Sequence, residues 1–265
     1  MVIYDLEYDG VLLSEMGYIL CSFDGGVNGS VSNGSVLKFN NISTLHGEKF
    51  ELSSVSYDDT LHGTIHFCKN PCMFDDEDVE IYSDEFRELA QWLNRKEYHK
   101  LRLLTEEYAD IYYEASFNVS KVMIGDHIVG VELEVFTNRP FGISGEKRIT
   151  ISGESGDSKI VYNDSDEEGY IYPHTVITAN SNGNLSILNT FENRYTIINN
   201  CTSGEVITLD YPVITSSLVA HNVQNDFNWN FFRLCKEYNN GRNVITLGSD
   251  CSIVMTYSPI VKFGI

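Results

Sequence analysis

The sequence predicts a mainly β protein, with an N-terminal β-rich domain that carries one short α-helix and a C-terminal antiparallel β-sandwich. Three observations support this. Aromatic residues make up 12% of 265 positions, with 16 Tyr and 14 Phe beside many Val, Ile and Thr, and such side chains pack well on a pleated surface. Apolar residues recur in short runs with polar neighbours between them, the period of a strand with one buried face. Only one segment has the apolar spacing of a helix.

In chain order, the small-residue stretch from Gly25 to Ser35 reads as a flexible loop. Ile65 and Phe67 then alternate with His62, Thr64, His66 and Cys68, as in a half-buried strand. Ser83 is placed to cap the helix, with Asp84 and Glu85 where the helix dipole favours anions. Phe86, Leu89, Ala90 and Leu93 form one apolar stripe that must dock for so short a helix to persist, and Asn94 ends it. Val129, Val131, Leu133 and Val135 alternate with Gly130, Glu132, Glu134 and Phe136. Turn chemistry is densest from Pro140 to Gly145, which sets the expected domains at 1–140 and 141–265.

Beyond that boundary no helix is expected. Strand-like runs span Tyr170 to Val176, Leu185 to Leu188, Glu205 to Leu209, Val213 to Leu218, Val244 to Leu247 and Ser252 to Tyr257. Phe227, Trp229 and Phe231 alternate with Asn228 and Asn230, which assigns Trp229 to the core beside the two phenylalanines.

The formal charge of −20 excludes an electrostatic grip on nucleic acid, which requires Lys and Arg to displace counterions, and disfavours anionic membrane surfaces. The charge is uneven: residues 1–140 carry 25 acids against 10 bases, and residues 141–265 carry 13 against 8. Six loosely spaced cysteines in a chain of this size do not indicate a disulfide framework and read as free thiols. The acidic N-terminus does not resemble a secretion signal, and no apolar run is long enough to cross a membrane, so a cytoplasmic site of synthesis is expected.

Four constellations hold candidate chemistry. His62, His66 and Cys68 share one strand face and Cys72 follows Pro71, offering zinc-ligand types, but their spacing matches no zinc motif. Asp164, Asp166 and Glu168 before Gly169 mimic the start of a calcium loop, yet Thr175 stands where the closing glutamate belongs. The acids from Asp75 to Glu88 could supply a carboxylate pair for cell-wall hydrolysis, but read better as a solvated face next to a helix start. Trp92 and Trp229 could serve as sugar platforms, but read better as core. Nucleophile-elbow, phosphate-loop and zinc-protease motifs are absent. No residue is therefore assigned as catalytic, cofactor-binding or metal-ligating, no cofactor is implied, and the chain is not expected to be an enzyme.

The residues resemble a known family. Glu85-Phe-Arg-Glu-Leu-Ala-Gln-Trp-Leu93 followed by Tyr98-His-Lys-Leu101 resembles the helix and next strand in the N-terminal domain of bacteriophage distal tail proteins (Dit). Ile111 to Ala115, and Val129 to Asn138 closing on Pro140-Phe141, look like the end of that domain. Asn225 to Leu234, Asn243 to Thr246, Cys251 to Ile253 and Tyr257 to Ile260 are similar to a prophage-type tail signature. The Gly/Ser stretch at 25–35 and the acids at 75–80 belong to neither pattern. The resemblance implies a structural virion protein that forms a homohexameric ring at the distal end of the tail tube. Its N-terminal domain would build the ring, and its C-terminal, galectin-like or jelly-roll domain would project outward. Implied partners are further copies of itself, the tail tube protein, the tail-tip or baseplate hub protein and the tape measure protein. DNA would pass through without being bound, and assembly would take place in the bacterial cytoplasm. Comparable parts exist in contractile tails and phage-derived particles. The alternative reading of the residues themselves is a carbohydrate-binding β-sandwich.

Overall fold

The computed structural model describes residues 3–23, 36–43, 50–74, 79–106 and 110–262. The chain is mainly β and divides into two compact units, one of residues 1–144 and 261–265, the other of residues 145–260. The stretch 25–35 and the acids Asp75 to Asp78 lie outside the described residues.

The first unit contains β1 (Asp5–Tyr8), β2 (Val11–Leu12), β3 (Tyr18–Cys21), β4 (Leu37–Ser43), β5 (Phe50–Tyr57) and β6 (His62–Lys69). The helix α1 (Ser83–Leu93) follows, then β7 (His99–Leu104), β8 (Tyr113–Ile124), β9 (His127–Thr137) and β10 (Gly142–Ile143). Seven strands form one antiparallel sheet in the order β2-β1-β7-β8-β9-β6-β3. One face is lined by Leu6, Tyr8, Phe67, Leu101, Phe117, Leu133 and Val135, and Leu89 and Leu93 of α1 belong to the same buried cluster. Phe86 and Trp92 pack at its margin. The helical stripe read from the sequence is thus the docking face.

Three local readings are corrected. Ser83 is the first helical residue, not the cap. Tyr82 holds the extended cap position, and its N–H donates to Glu85 Oε2 at 2.7 Å. In β9 the alternation holds from Val131 to Val135 but fails at Val129, because the register with β8 shifts between Val122 and Met123. This bulge turns Ile128 inward in place of Val129. Gly130 is buried as well, since a side chain there would meet the Phe67 carbonyl at 2.8 Å and the Phe23 ring at 2.3 Å.

The second unit contains β11 (Lys147–Gly153), β12 (Ser158–Tyr162), β13 (Gly169–Ile171), β14 (His174–Ala179), β15 (Gly183–Asn189) and β16 (Arg194–Cys201). It continues through β17 (Val206–Asp210), β18 (Val213–Ser216), the single helical turn α2 (Val223–Asp226), β19 (Leu234–Lys236), β20 (Arg242–Leu247) and β21 (Cys251–Tyr257). A short strand, β22 (Ile260–Val261), comes last. A five-stranded antiparallel sheet (β11-β21-β14-β17-β18) and a four-stranded one (β12-β20-β15-β16) contribute their inward residues to one core. Ile177, Ile207, Ile253 and Met255 come from the first sheet, and Leu185, Ile187, Ile198, Ile245 and Leu247 from the second. This is the expected β-sandwich. The run expected from Tyr170 to Val176 is cut at Pro173 into β13 and β14, which lie in different sheets, because proline cannot donate to a ladder.

Candidate functional site

The His/Cys face on β6 forms as a face but not as a ligand set. His66 Nε2 lies 3.0 Å from Glu132 Oε2 on the neighbouring strand, and His62 lies 3.3 Å from Asp59 and edge-on to Phe136. Cys68 stands opposite Ile19 and lies diagonally across the β3–β6 ladder from Cys21, where burial and the Cys68 thiol push Cys21 up to about 12. Cys72 is exposed in the turn after Pro71. Among the described residues, no group of three or more His, Cys, Asp or Glu is placed to hold a metal ion.

The calcium-like stretch is tied to the protein instead. Asp164 pairs with Lys147, the Asp166 N–H donates to the Ile260 carbonyl, and Glu168 accepts from the Tyr238 N–H. The carboxylates of Asp164 and Glu168 therefore face different partners. Of the acids near α1, Glu80 reaches His127 at 2.8 Å and Glu85 reaches Lys69 at 2.9 Å. Lys69 is 2% exposed, and its ammonium also lies over the rings of Phe74 and Tyr82. The solvated-face reading is thus wrong for Glu85, which neutralises a buried cation. The alternation of Ile65 and Phe67 continues to Lys69 and places it on the buried face, a signal that the sequence reading passed over because lysine is a charged residue.

Three polar clusters in the second unit also escaped sequence reasoning, because their members lie far apart in the chain. His221 sits between two carboxylates, Glu205 at Nδ1 and Asp226 at Nε2. Glu205 also accepts from Ser216 Oγ and the Thr202 N–H. Burial alone would pull His221 down, but its hydrogen bonds and charge contacts with Glu205 and Asp226 hold it above the usual histidine value. Burial would likewise push Glu205 up, but Ser216, His221 and Thr202 hold it below the usual carboxylate range. In the second cluster Glu192 takes a fork of hydrogen bonds from Arg233, whose guanidinium stacks 4.0 Å from the Tyr170 ring centre. In the third, Asn189 donates to the side chain of Asn243, and the Asn243 amide bridges both directions of the Cys235 backbone. Each cluster is buried or half-buried and satisfied internally, the arrangement of structural polar groups.

Trp229 corrects an expectation. It is 56% exposed, with φ at +58°, while Phe227 and Phe231 are buried. The segment forms a loop after α2, so its alternation is not that of a strand. Asn228 fixes the turn by accepting from the Ile197 and Asn230 N–H groups and donating to the Tyr195 carbonyl. Tyr170, Tyr195 and Tyr211 are also about half exposed, and Tyr172 and Tyr211 stack face to face at 4.1 Å.

Comparison with known proteins places this architecture. A family model described as the phage tail protein N-terminal domain matches residues 1–139, and one described as the phage tail C-terminal domain matches residues 141–257. No curated protein sequence matches. Among solved structures, the chain is similar to the SPP1 Dit (gp 19.1) protein, described as a paradigm of the hub adsorption apparatus in phages that infect Gram-positive hosts. The TM-score is 0.67 at 12% identity, over 97% of this chain and 99% of that one, which shows a shared fold. With both of its halves matched, the chain belongs to the phage tail protein family.

Proposed function

We propose that the chain is a structural subunit of the distal tail ring, closing as a homohexamer that joins the tail tube to the tail-tip or baseplate proteins that find the host. Residues 1–140 would build the ring and residues 141–265 would project from it. The observation that carries this reading is the fold shared with a hub protein over nearly the full length of both chains, within a phage tail family. The sheet of the first unit supports it, being open among the described residues, with β2 and β3 as its edge strands. The partners are the tube protein, the tip or baseplate hub and the tape measure protein; the location is the virion after assembly in the host cytoplasm; and the role is non-enzymatic. Light scattering on the purified chain, with electron microscopy of the particles, tests this: six-membered rings are expected, and a stable monomer would overturn it.

A second reading, glycan binding by the second unit, is favoured by one observation, the 56% exposed Trp229 packed against Phe227 and Phe231. Stacking of a sugar ring on the indole predicts glycan-array signals that Trp229→Ala abolishes. An array with no signal would remove the reading.

A further inference from the structure

The edge strand β3 pairs with β6 so that Cys21 stands opposite His66 and Ile19 opposite Cys68. Leu20 and Phe67 turn toward the core, so Cys21, His66 and Cys68 share the other face of the sheet. Cys21 and Cys68 are diagonal neighbours on that face, and their thiols lie within hydrogen-bonding reach of each other. Both are half-buried, whereas Cys72 is exposed and Cys201, Cys235 and Cys251 are buried in the second unit. Phe23, two residues beyond Cys21, rests edge-on against the His66 ring.

We propose that Cys21 and Cys68 form a reversible disulfide, made by exchange with a small disulfide such as oxidised glutathione, that staples β3 to β6. Burial and the Cys68 thiol keep Cys21 protonated, so Cys68 makes the first attack. It gives its proton to solvent and breaks the reagent's S–S bond, leaving a mixed disulfide on Cys68 and one glutathione thiolate. Cys21 then loses its proton and attacks the Cys68 sulfur, and the second glutathione departs. Two protein thiols are oxidised by two electrons, and one glutathione disulfide is reduced to two thiols. Diagonal partners in an antiparallel pair stand roughly 7–8 Å apart at Cα, against about 4.4–6.8 Å across a disulfide. Closure therefore asks Cys21 to move by about an ångström. It can yield, being the last residue of a four-residue strand at the edge of the sheet among the described residues. A bridge closed under strain is also readily reduced, which makes it reversible. A tail subunit meets both conditions, a reducing cytoplasm during synthesis and an oxidising medium after release. That timing rests on the virion reading of the chain, whereas the bridge itself does not.

Mass spectrometry of the full-length reduced chain after incubation with oxidised glutathione tests it. Digestion of the wild type without reductant should yield a peptide pair joining Cys21 to Cys68, with glutathione on Cys72. In Cys72→Ser, which removes the exposed thiol, the intact mass should fall by two hydrogen atoms and recover with reductant. Cys21→Ser should stop at the mixed disulfide, with glutathione retained on Cys68. Hydrogen exchange of the β3 amides should slow by about tenfold in the bridged form. A bridge from Cys68 to Cys72 in the wild type would overturn the proposal, as would Cys72→Ser that keeps both thiols or holds glutathione on Cys68. Unchanged exchange in β3 would overturn the staple. Each readout is the same on a monomer as on a ring, so a failed ring leaves the bridge standing.

Discussion

At the scale of single residues, the acidic chain buries a cation. Lys69 lies under Phe74 and Tyr82 with Glu85 as its counter-ion. Removing one partner of such a pair strands the other charge, whereas an apolar replacement of similar volume removes the need for the pair. Glu85→Ala should therefore cost about 3 kcal/mol, partly through the lost cap at Tyr82, and Lys69→Met should be near neutral or stabilising. Urea unfolding of both variants checks this, and equal losses would refute it. The thiols separate in the same way. Burial pushes Cys201, Cys235 and Cys251 each up to about 11, and Cys72 is exposed. A colorimetric thiol reagent should label Cys72 at once and these three only on unfolding.

At the scale of elements, strand visibility in the second unit followed position in the sheet only in part, since the edge strand β18 was read as well. Central strands such as β15, β20 and β21 bury one face fully and could be read directly from alternation. The strands β11, β12 and β16 were not legible, and all three are sheet edges. β11 and β12 each bury a single residue, too little contrast to register as a period. The loop around Trp229 shows the opposite error, alternation without a strand, because Asn228 bends a backbone whose flanking phenylalanines are buried. Contacts between distant segments were beyond the sequence altogether, as with His221, Glu205 and Asp226. That cluster predicts a pH dependence for the second unit. His221 is raised, so its contribution is full below about pH 6.5 and is lost as pH climbs through its folded value. Glu205 is lowered, so its contribution is full above about pH 4.3 and is lost as pH falls through its folded value. Calorimetry should show the wild type losing stability relative to His221→Asn on going from about pH 5.5 to about pH 8.5. A constant difference between the two would refute the coupling.

At the scale of the whole molecule, the sequence disclosed the class and the partition of side chains, while the order of strands in each sheet became visible only in the pairing. The excess of acids in residues 1–140 has a natural use in a tail. An acidic bore repels phosphate and lets DNA slide past without sticking. The prediction is that a map of the assembled ring shows a negative channel wall; a neutral or basic wall would refute it.

The β4–β5 hairpin lies in the chain between β3 and β6, and those two strands are direct neighbours in the sheet, with Cys21 opposite His66. The framework therefore closes on itself whether the excursion between them is long, short or exchanged for another. Such a site is a natural cassette. Sequence drift there can reshape the exposed hairpin while the scaffold that carries it stays unaltered.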